Sequence, residues 1–325
     1  MPDQFAEVAN NFFKQEWYHT SLEITDLCTA LAWPSSRFIY TGDNVGRVRS
    51  VDSMSPGPAS ADVTFISSSR ISSLALNQSA NLFAATSPVN DFVAIGTVDP
   101  GSGSFGETAA KLKGSRRPLS ALFMDDERNN QSLVLVGSSS GIDIIDAQSG
   151  TVFRQLKGKG GATSLYSWLG CMVAAGDARG GVTLWDARVN EPVAHFVSPS
   201  TGPHQKSVFS VDCTARVLAM AGSRGAVHLF DITARKHIID KYVCPFDVKA
   251  LRFSPRMRLL LAADTQSLYM MNFAEISTTL PQPSLNILSL PSITGVLWDH
   301  LSCRFVVSAG DHFLRLFQLD ASDTR

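Results

Sequence analysis

The 325-residue sequence has little charge, and the charges that it has almost cancel. Asp, Glu, Lys and Arg make up 18% of the chain, whereas about 25% is usual for a soluble domain. The formal net charge of −1 gives no overall attraction to nucleic acid or to an anionic membrane. We therefore expect neither as a partner, and an electrostatic binding site must come from local segregation of charge.

The sequence also lacks a disulfide framework, a metal-binding motif and a long apolar run. Its five cysteines include no Cys-x-x-Cys pair, so free thiols in a reducing compartment are expected. The seven histidines are dispersed along the chain, without the spacing of metal ligands. No window reaches the ~18 apolar residues of a membrane span, and the first residues do not have the pattern of a secretory signal. These absences predict an intracellular protein of the cytoplasm or nucleus without metal or cofactor.

The sequence does contain a repeated motif, in which a polar turn precedes a short strand that ends at an aspartate. The clearest copy is residues 176–186, Gly-Asp-Ala-Arg-Gly-Gly-Val-Thr-Leu-Trp-Asp. Three further copies end at Asp52, Asp146 and Asp231. Such a turn followed by alternating large side chains is typical of an antiparallel hairpin.

The turn, the strand and the terminal Trp-Asp resemble the WD40-repeat family. This resemblance implies a β-propeller of four-stranded antiparallel blades around a central channel. Successive third strands end about 40 to 47 residues apart, close to the period of a WD40 blade. The seven ends are Asp52, Asp99, Asp146, Asp186, Asp231, Asn272 and Gln318. We therefore predict an all-β, seven-bladed propeller.

The resemblance also implies how the ring closes. The final blade of such a propeller lacks its outer strand, and an N-terminal strand near residues 18–24 is expected to supply it. Phe5, Val8 and Phe12 have helical spacing, so a short amphipathic helix is expected before that strand. The predicted organisation is an N-terminal segment at 1–16, one propeller at 17–320 and a tail at 321–325.

The match to the family departs from its pattern in two ways. Only Trp185-Asp186 is a true Trp-Asp strand end, and His204 is the one candidate for the histidine that often precedes a first strand. The polar network that joins the strands of many WD40 blades is therefore incomplete. We expect aliphatic packing between blades to stabilise the ring instead.

Motifs that could indicate catalysis fall where a propeller needs turns. Gly137-Ser138-Ser139-Ser140-Gly141 fits G-x-S-x-G, but that nucleophile elbow leads into a helix and here a strand pattern follows. Residues 101–106 fit G-x-G-x-x-G, again with no helix to bind phosphate, and are expected to form a loop. We predict that the protein is not an enzyme. A hydrolase, dependent on Ser139 or His312, is the alternative from another class.

One group of residues favours binding. In the family, the turns between second and third strands and the loops entering each first strand lie on one rim, here called the top rim. The opposite rim would receive Asp125, Asp126 and Glu127. The predicted partner-binding residues of the top rim are Lys113, Arg116, Arg117, Lys157, Lys159, Arg179, His204, Lys206 and Arg224.

This basic arc predicts an acidic or phosphorylated protein segment as partner, because clustered Arg and Lys bind carboxylate and phosphate. Ordinary solvated loop charges are the alternative interpretation. The predicted function is a non-catalytic scaffold or adaptor within a multiprotein complex. A structural subunit of a large assembly is the second possibility, since the blade order and residues 295–317 are similar to a propeller nucleoporin of the outer-ring complex of the nuclear pore.

Overall fold

The computed structural model describes residues 18–24, 26–34, 37–54, 62–89, 91–113, 117–126, 131–158, 160–168, 170–197, 207–242, 244–255, 259–272, 285–299 and 304–318. Within these residues lie twenty-eight β-strands and one short 3₁₀ helix (Ser223–Gly225). The strands form seven four-stranded antiparallel sheets, the blades of a β-propeller. The predicted fold class is confirmed. The segments predicted at 1–16 and 321–325 lie outside the described residues.

The first strand, β1 (Tyr18–Glu23), belongs to the last blade, and the next strands build the first three blades in order. Blade 1 contains β2 (Cys28–Ala32), β3 (Phe38–Asp43), β4 (Arg47–Asp52) and β5 (Val63–Phe65). Blade 2 contains β6 (Ser73–Leu76), β7 (Leu82–Ser87), β8 (Phe92–Val98) and β9 (Phe105–Lys113). Blade 3 contains β10 (Ser120–Asp126), β11 (Gln131–Ser138), β12 (Gly141–Asp146) and β13 (Val152–Leu156).

The remaining strands build blades 4 to 7 in the same way. Blade 4 contains β14 (Ser164–Trp168), β15 (Met172–Gly176), β16 (Gly181–Asp186) and β17 (Pro192–Val197). Blade 5 contains β18 (Val208–Cys213), β19 (Val217–Gly222), β20 (Ala226–Asp231) and β21 (Lys236–Tyr242). Blade 6 contains β22 (Ala250–Phe253), β23 (Leu259–Ala263), β24 (Ser267–Asn272) and β25 (Leu285–Ser289). Blade 7 contains β26 (Gly295–Trp298), β27 (Arg304–Ser308) and β28 (Phe313–Gln318), with β1 as its outer strand.

Apolar packing between neighbouring blades forms the core. The described residues contain seven clusters of buried side chains, and each cluster lies between two adjacent blades. All five residues of β23 are buried, because a second strand is covered by a blade on each side. Trp185 is 3% exposed and belongs to the cluster between blades 3 and 4. This arrangement agrees with the expected importance of apolar packing between blades.

The N-terminal strand closes the ring. It pairs with β28 along its whole length, from Tyr18 opposite Gln318 to Glu23 opposite Phe313. Beyond the strand, the amide of Ile24 donates a hydrogen bond of 2.7 Å to the carbonyl of His312. The predicted closure by an N-terminal strand is therefore confirmed.

The closing strand also contributes to the apolar core. Leu22 and Ile24 are 3% and 4% exposed and pack in one cluster with Ile39 and Val51 of blade 1. Blade 7 thus contacts blade 1 through side chains from the front of the chain. Burial of this kind stabilises the ring in addition to the hydrogen bonds of the strand.

Candidate functional site

Backbone hydrogen bonds along the top rim join neighbouring blades. The turn of one blade accepts a hydrogen bond from the loop that enters the next blade, at 2.8 to 3.0 Å in four places. The donor and acceptor pairs are Ile71 N with Asp43 O, Ala162 N with Ser138 O, Val208 N with Asp177 O, and Val248 N with Gly222 O. Both kinds of loop therefore meet on one rim, and their backbones are fixed relative to each other.

Gly161, between β13 and β14, lies next to one of these donors, Ala162. Gly161 has a φ of +71°, and a Cβ there would lie 2.7 Å from the carbonyl oxygen of Ser138. A larger residue would collide with the turn of blade 3. Close approach of two loops thus explains the glycine at this position.

Three predicted binding residues lie on the described top rim with exposed side chains, namely Arg117, Lys157 and Arg179. The backbone of Arg117 is held by Asp91, whose Oδ1 accepts its amide at 2.8 Å. Lys157 directly follows the last residue of β13. Arg179 lies in the turn between β15 and β16, where Asp177 Oδ1 accepts its amide at 2.7 Å.

Lys157 and Arg179 lie on neighbouring loops that share a backbone hydrogen bond. The amide of Ala178 donates to the carbonyl of Gly160 at 3.3 Å, which joins the turn of Arg179 to the loop that follows Lys157. In the described part of the chain, no carboxylate lies within ion-pair distance of Arg117, Lys157 or Arg179. The described residues thus leave these three charges without a neutralising carboxylate.

Of the other predicted residues of the arc, Lys113 is placed differently, Arg224 lies in the turn where it was predicted, and four lie outside the described residues. Lys113 was predicted in the loop that enters blade 3, but it is the last residue of β9 and pairs with Phe92, because blade 2 has an outer strand that the sequence pattern did not show. Arg224 lies in the 3₁₀ helix between β19 and β20. The remaining residues, Arg116, Lys159, His204 and Lys206, lie outside the described residues.

The acidic residues predicted on the opposite rim also differ in part from expectation. Asp125 and Asp126 are the last residues of β10 and pair with Ser132 and Gln131 of β11. The hairpin ladder continues past the apolar part of the strand, so these acids are strand residues rather than loop residues. Glu127 lies outside the described residues.

The first strands of all seven blades line a central channel of about 390 Å³. Its wall contains many hydroxyl groups, and Lys249 and Arg252 are its two cations among the described residues. Lys249 Nζ lies 4.0 Å from the centre of the Phe209 ring and 3.5 Å from Asp247 Oδ2. Sequence reasoning missed this pair, because Phe209 and Lys249 are one repeat apart and meet only across a blade interface.

Asp212 is a buried acid beside the channel that joins three blades. Its Oδ2 accepts the amide of Phe253 in blade 6 at 2.9 Å, and its Oδ1 accepts the amide of Cys213 at 2.7 Å. The Tyr166 hydroxyl of blade 4 donates to it as well. Burial raises the pKa of Asp212 to about 6, although the nearby Arg252 charge and these hydrogen bonds act in the opposite direction.

Hydroxyl groups of the first strands also connect neighbouring blades. Thr29 Oγ1 donates to the carbonyl of Ile71, and Thr163 Oγ1 to that of Val208, each at 2.6 Å. Ser210 Oγ accepts the amide of Leu251 at 2.9 Å. These contacts cross blade interfaces, and the two threonine hydroxyls also lie within hydrogen-bond distance of carbonyls in their own blades, Gly42 at 3.2 Å and Gly176 at 2.9 Å.

The residues named for a hydrolase lie in different blades. Ser139 is in the β11–β12 hairpin turn of blade 3, as the strand pattern predicted, and His312 is in the β27–β28 turn of blade 7. The neighbouring Ser138 and Ser140 hydroxyls bond each other at 3.0 Å. Among the residues that the structure describes, no group of three or more His, Cys, Asp and Glu side chains could hold a metal ion.

Four cysteines fall within the described residues, and all four are free thiols, as predicted. Cys28, Cys213 and Cys244 are buried, whereas Cys171 is partly exposed. Burial raises the pKa of both Cys28 and Cys244 to about 12, which disfavours the reactive thiolate. In the described part of the molecule, no helix is long and apolar enough to cross a membrane.

No protein-family model matches this chain, and no curated protein is significantly similar to it. The structure therefore assigns the chain to the seven-bladed β-propellers by its fold alone. Membership of the WD40-repeat family stays a prediction from the repeated turn, strand and acid.

Proposed function

We propose that this propeller is a non-catalytic scaffold that docks partner proteins on its top rim. Propellers commonly serve as protein-interaction scaffolds. The observation that carries the proposal is the set of exposed cations Arg117, Lys157 and Arg179 on loops with fixed backbones, for which the described residues supply no ion-pair partner. A rigid basic surface loses little conformational entropy on binding, and its guanidinium groups match carboxylate or phosphate oxygens. An acidic or phosphorylated segment is the proposed partner.

A permanent subunit of a large assembly, such as the outer ring of the nuclear pore, is the second candidate. Exposed apolar side chains on outer strands favour it, because stable assemblies bury such surface. Phe65 and Phe153 are 63% and 64% exposed on the outer strands of blades 1 and 3. The buried free thiols fit an intracellular location for either function.

The basic rim can be tested by charge reversal in the full chain. The variant carries Arg117→Glu, Lys157→Glu and Arg179→Glu. The control reverses three exposed arginines on the opposite rim, Arg37, Arg216 and Arg235. Two of them form exposed ion pairs, Arg37 with Asp52 and Arg216 with Asp231, so thermal unfolding of this variant is measured as well. Each protein is purified from its native cell, and the co-purifying proteins are identified and quantified.

We expect the top-rim variant to lose partners that the control retains. Equal recovery of the same partners by both variants would refute the top rim as the docking surface. The two candidate functions differ in the behaviour of the isolated chain, since an adaptor purifies as a soluble monomer and an assembly subunit does not.

A further inference from the structure

A groove on the outer side of the ring lies between the outer strand of blade 3 and a loop of blade 4. We call it the side groove. It is lined by Val152, Phe153, Arg154, Gln155, Lys157 and Asn190. Phe153 is 64% exposed and Val152 is 51% exposed. Adjacent apolar side chains with this exposure, set beside polar groups, are typical of a protein-binding surface.

Arg154 fixes the wall of the groove. Its Nη1 donates a hydrogen bond of 2.8 Å to the carbonyl of Ala187, which ties β13 to the loop of blade 4. Its guanidinium carbon lies 5.4 Å from the centre of the Phe153 ring. This contact holds the ring beside a cation, so the apolar and the charged parts of the groove form one surface.

The groove carries a positive charge. No carboxylate of the described residues lies within ion-pair distance of Arg154 or Lys157. On the facing loop, Arg188 and Asp186 neutralise each other at 2.6 Å, and Glu191 is the acid that remains. Asp143 is a second nearby acid, and its Oδ1 accepts a hydrogen bond from Gln155 Nε2 at 2.9 Å. The described lining itself contains two cations, Arg154 and Lys157, and no acid, which favours a partner with acidic residues.

β13 has an edge at which another strand can pair, and its ladder with β12 shifts register at Phe153. It is the outer strand of blade 3, so one edge has no partner strand among the described residues. The outer strands of blades 4 and 5 carry Pro192, or Lys236 and Lys241, which are residues that discourage edge pairing. The sequence of β13, Val-Phe-Arg-Gln-Leu, contains neither proline nor lysine, as is also true of β5 and β25 in blades 1 and 6.

We propose that the side groove binds an extended, acidic segment of a partner protein as a fifth strand of blade 3. Apolar side chains of the segment contact Val152 and Phe153, and its flanking carboxylates pair with Arg154 and Lys157. Backbone hydrogen bonds to β13 supply affinity, and the apolar and charged contacts supply specificity. The inference rests on the proposed scaffold function and names a surface that continues from the top rim, since Lys157 belongs to both.

A defined peptide tests this inference on the full chain. The probe is a fluorescein-labelled peptide in which phenylalanine and valine are flanked on both sides by glutamates, and its control carries lysines in place of the glutamates. Binding is followed by fluorescence anisotropy. We expect the unaltered protein to bind the acidic peptide, to bind the lysine peptide more weakly, and to lose affinity for the acidic peptide as salt rises.

Two substitutions of exposed phenylalanines make a matched pair. Phe153→Ser should weaken binding of the acidic peptide by about tenfold or more, as removal of an aromatic anchor does. Phe65→Ser removes an equally exposed ring from the outer strand of blade 1 and should leave binding unchanged. Because both rings are exposed, thermal unfolding of each variant should match that of the unaltered protein. Amide exchange of residues 152–156 should slow when the peptide is bound.

The outcomes separate this inference from the function on which it rests. The proposal that the side groove binds an acidic segment is refuted if the acidic peptide does not bind, or if Phe153→Ser and Phe65→Ser have equal affinity for it. The double variant Arg117→Glu, Arg179→Glu leaves the groove intact and reports on the top rim alone. Loss of cellular partners by that variant, with unaltered recovery by Phe153→Ser, would support the top rim and refute the groove.

Discussion

Asp212 Oδ2 accepts a hydrogen bond from the backbone amide of Phe253 at 2.9 Å, across the interface between blades 5 and 6. The same carboxylate also accepts the amide of Cys213. A single buried side chain therefore satisfies two backbone donors, one in each blade. Removal of the acceptor leaves these buried donors without a hydrogen bond, and this lowers the free energy of unfolding.

We predict that Asp212→Ala destabilises the ring. The substitution leaves the buried amides of Cys213 and Phe253 without their acceptor, at a cost of roughly 1–3 kcal/mol in the free energy of unfolding at low pH. Asp212→Asn keeps one carbonyl acceptor and should cost less. Urea unfolding at about pH 4, where Asp212 is protonated, measures both values. An Ala variant as stable as the unaltered protein at that pH would contradict the proposed link between blades.

The raised pKa of Asp212 predicts a pH dependence of stability. Its pKa of about 6 in the folded protein lies above the ~3.9 of an unfolded Asp, so the folded state binds the proton more tightly. The stability that this group contributes is therefore fully present below pH ~4 and is lost as pH rises through ~6. At about 1.4 kcal/mol per pKa unit, the loss is roughly 3 kcal/mol.

Unfolding of the unaltered protein and of Asp212→Asn between pH ~4 and ~7 measures this effect, since Asn does not titrate and other groups cancel in the comparison. The unaltered protein should lose stability relative to Asp212→Asn as pH rises. A difference that stays constant over this range would show that Asp212 has an ordinary pKa.

We expect Leu22→Ala to weaken ring closure. Leu22 is 3% exposed in the core between blades 7 and 1, and removal of a buried leucine side chain costs about 2–5 kcal/mol. Ser21→Ala on the exposed face of the same strand is the control. Similar thermal unfolding of the two variants would mean that β1 adds little to the core.

Thr163→Val tests the hydroxyl contacts between blades. The substitution keeps the shape of the side chain but removes the donor to the Val208 carbonyl, so we expect a loss of about 1 kcal/mol in the free energy of unfolding. Thr64→Val on the outer strand β5 lies at a partly exposed position and should be neutral or nearly so. If Thr163→Val and Thr64→Val have the same free energy of unfolding, the proposed role of this hydroxyl is refuted.

The fold could be predicted because its signals are local. The polar turns and alternating side chains before Asp146, Asp186 and Asp231 define hairpins, and each of these residues ends a third strand. The outer strand β9 was not assigned, because the glycines at 101–106 favour a loop and the pairing of β9 with β8 shifts register twice. An irregular ladder has no regular alternation for the sequence to display.

The contacts between blades could not be predicted in the same way. Asp212 and Phe253 are 41 residues apart, and Thr163 and Val208 are 45 apart, which is about one repeat. A local pattern identifies each strand but not the residues that face each other on neighbouring sheets. Phe153 was missed for a related reason, since an apolar residue in a strand pattern is expected to be buried.

The pairing of Tyr18 with Gln318 has a consequence for synthesis of the protein. Blades 1 to 6 each consist of consecutive strands, so each can form as soon as its own stretch of chain has left the ribosome. Blade 7 can form only after β28 has been translated. Until then β1, which is translated first, has no β28 to pair with. During that interval the edge of β1 and its apolar residues Leu22 and Ile24 lack the partners that they have in the closed ring.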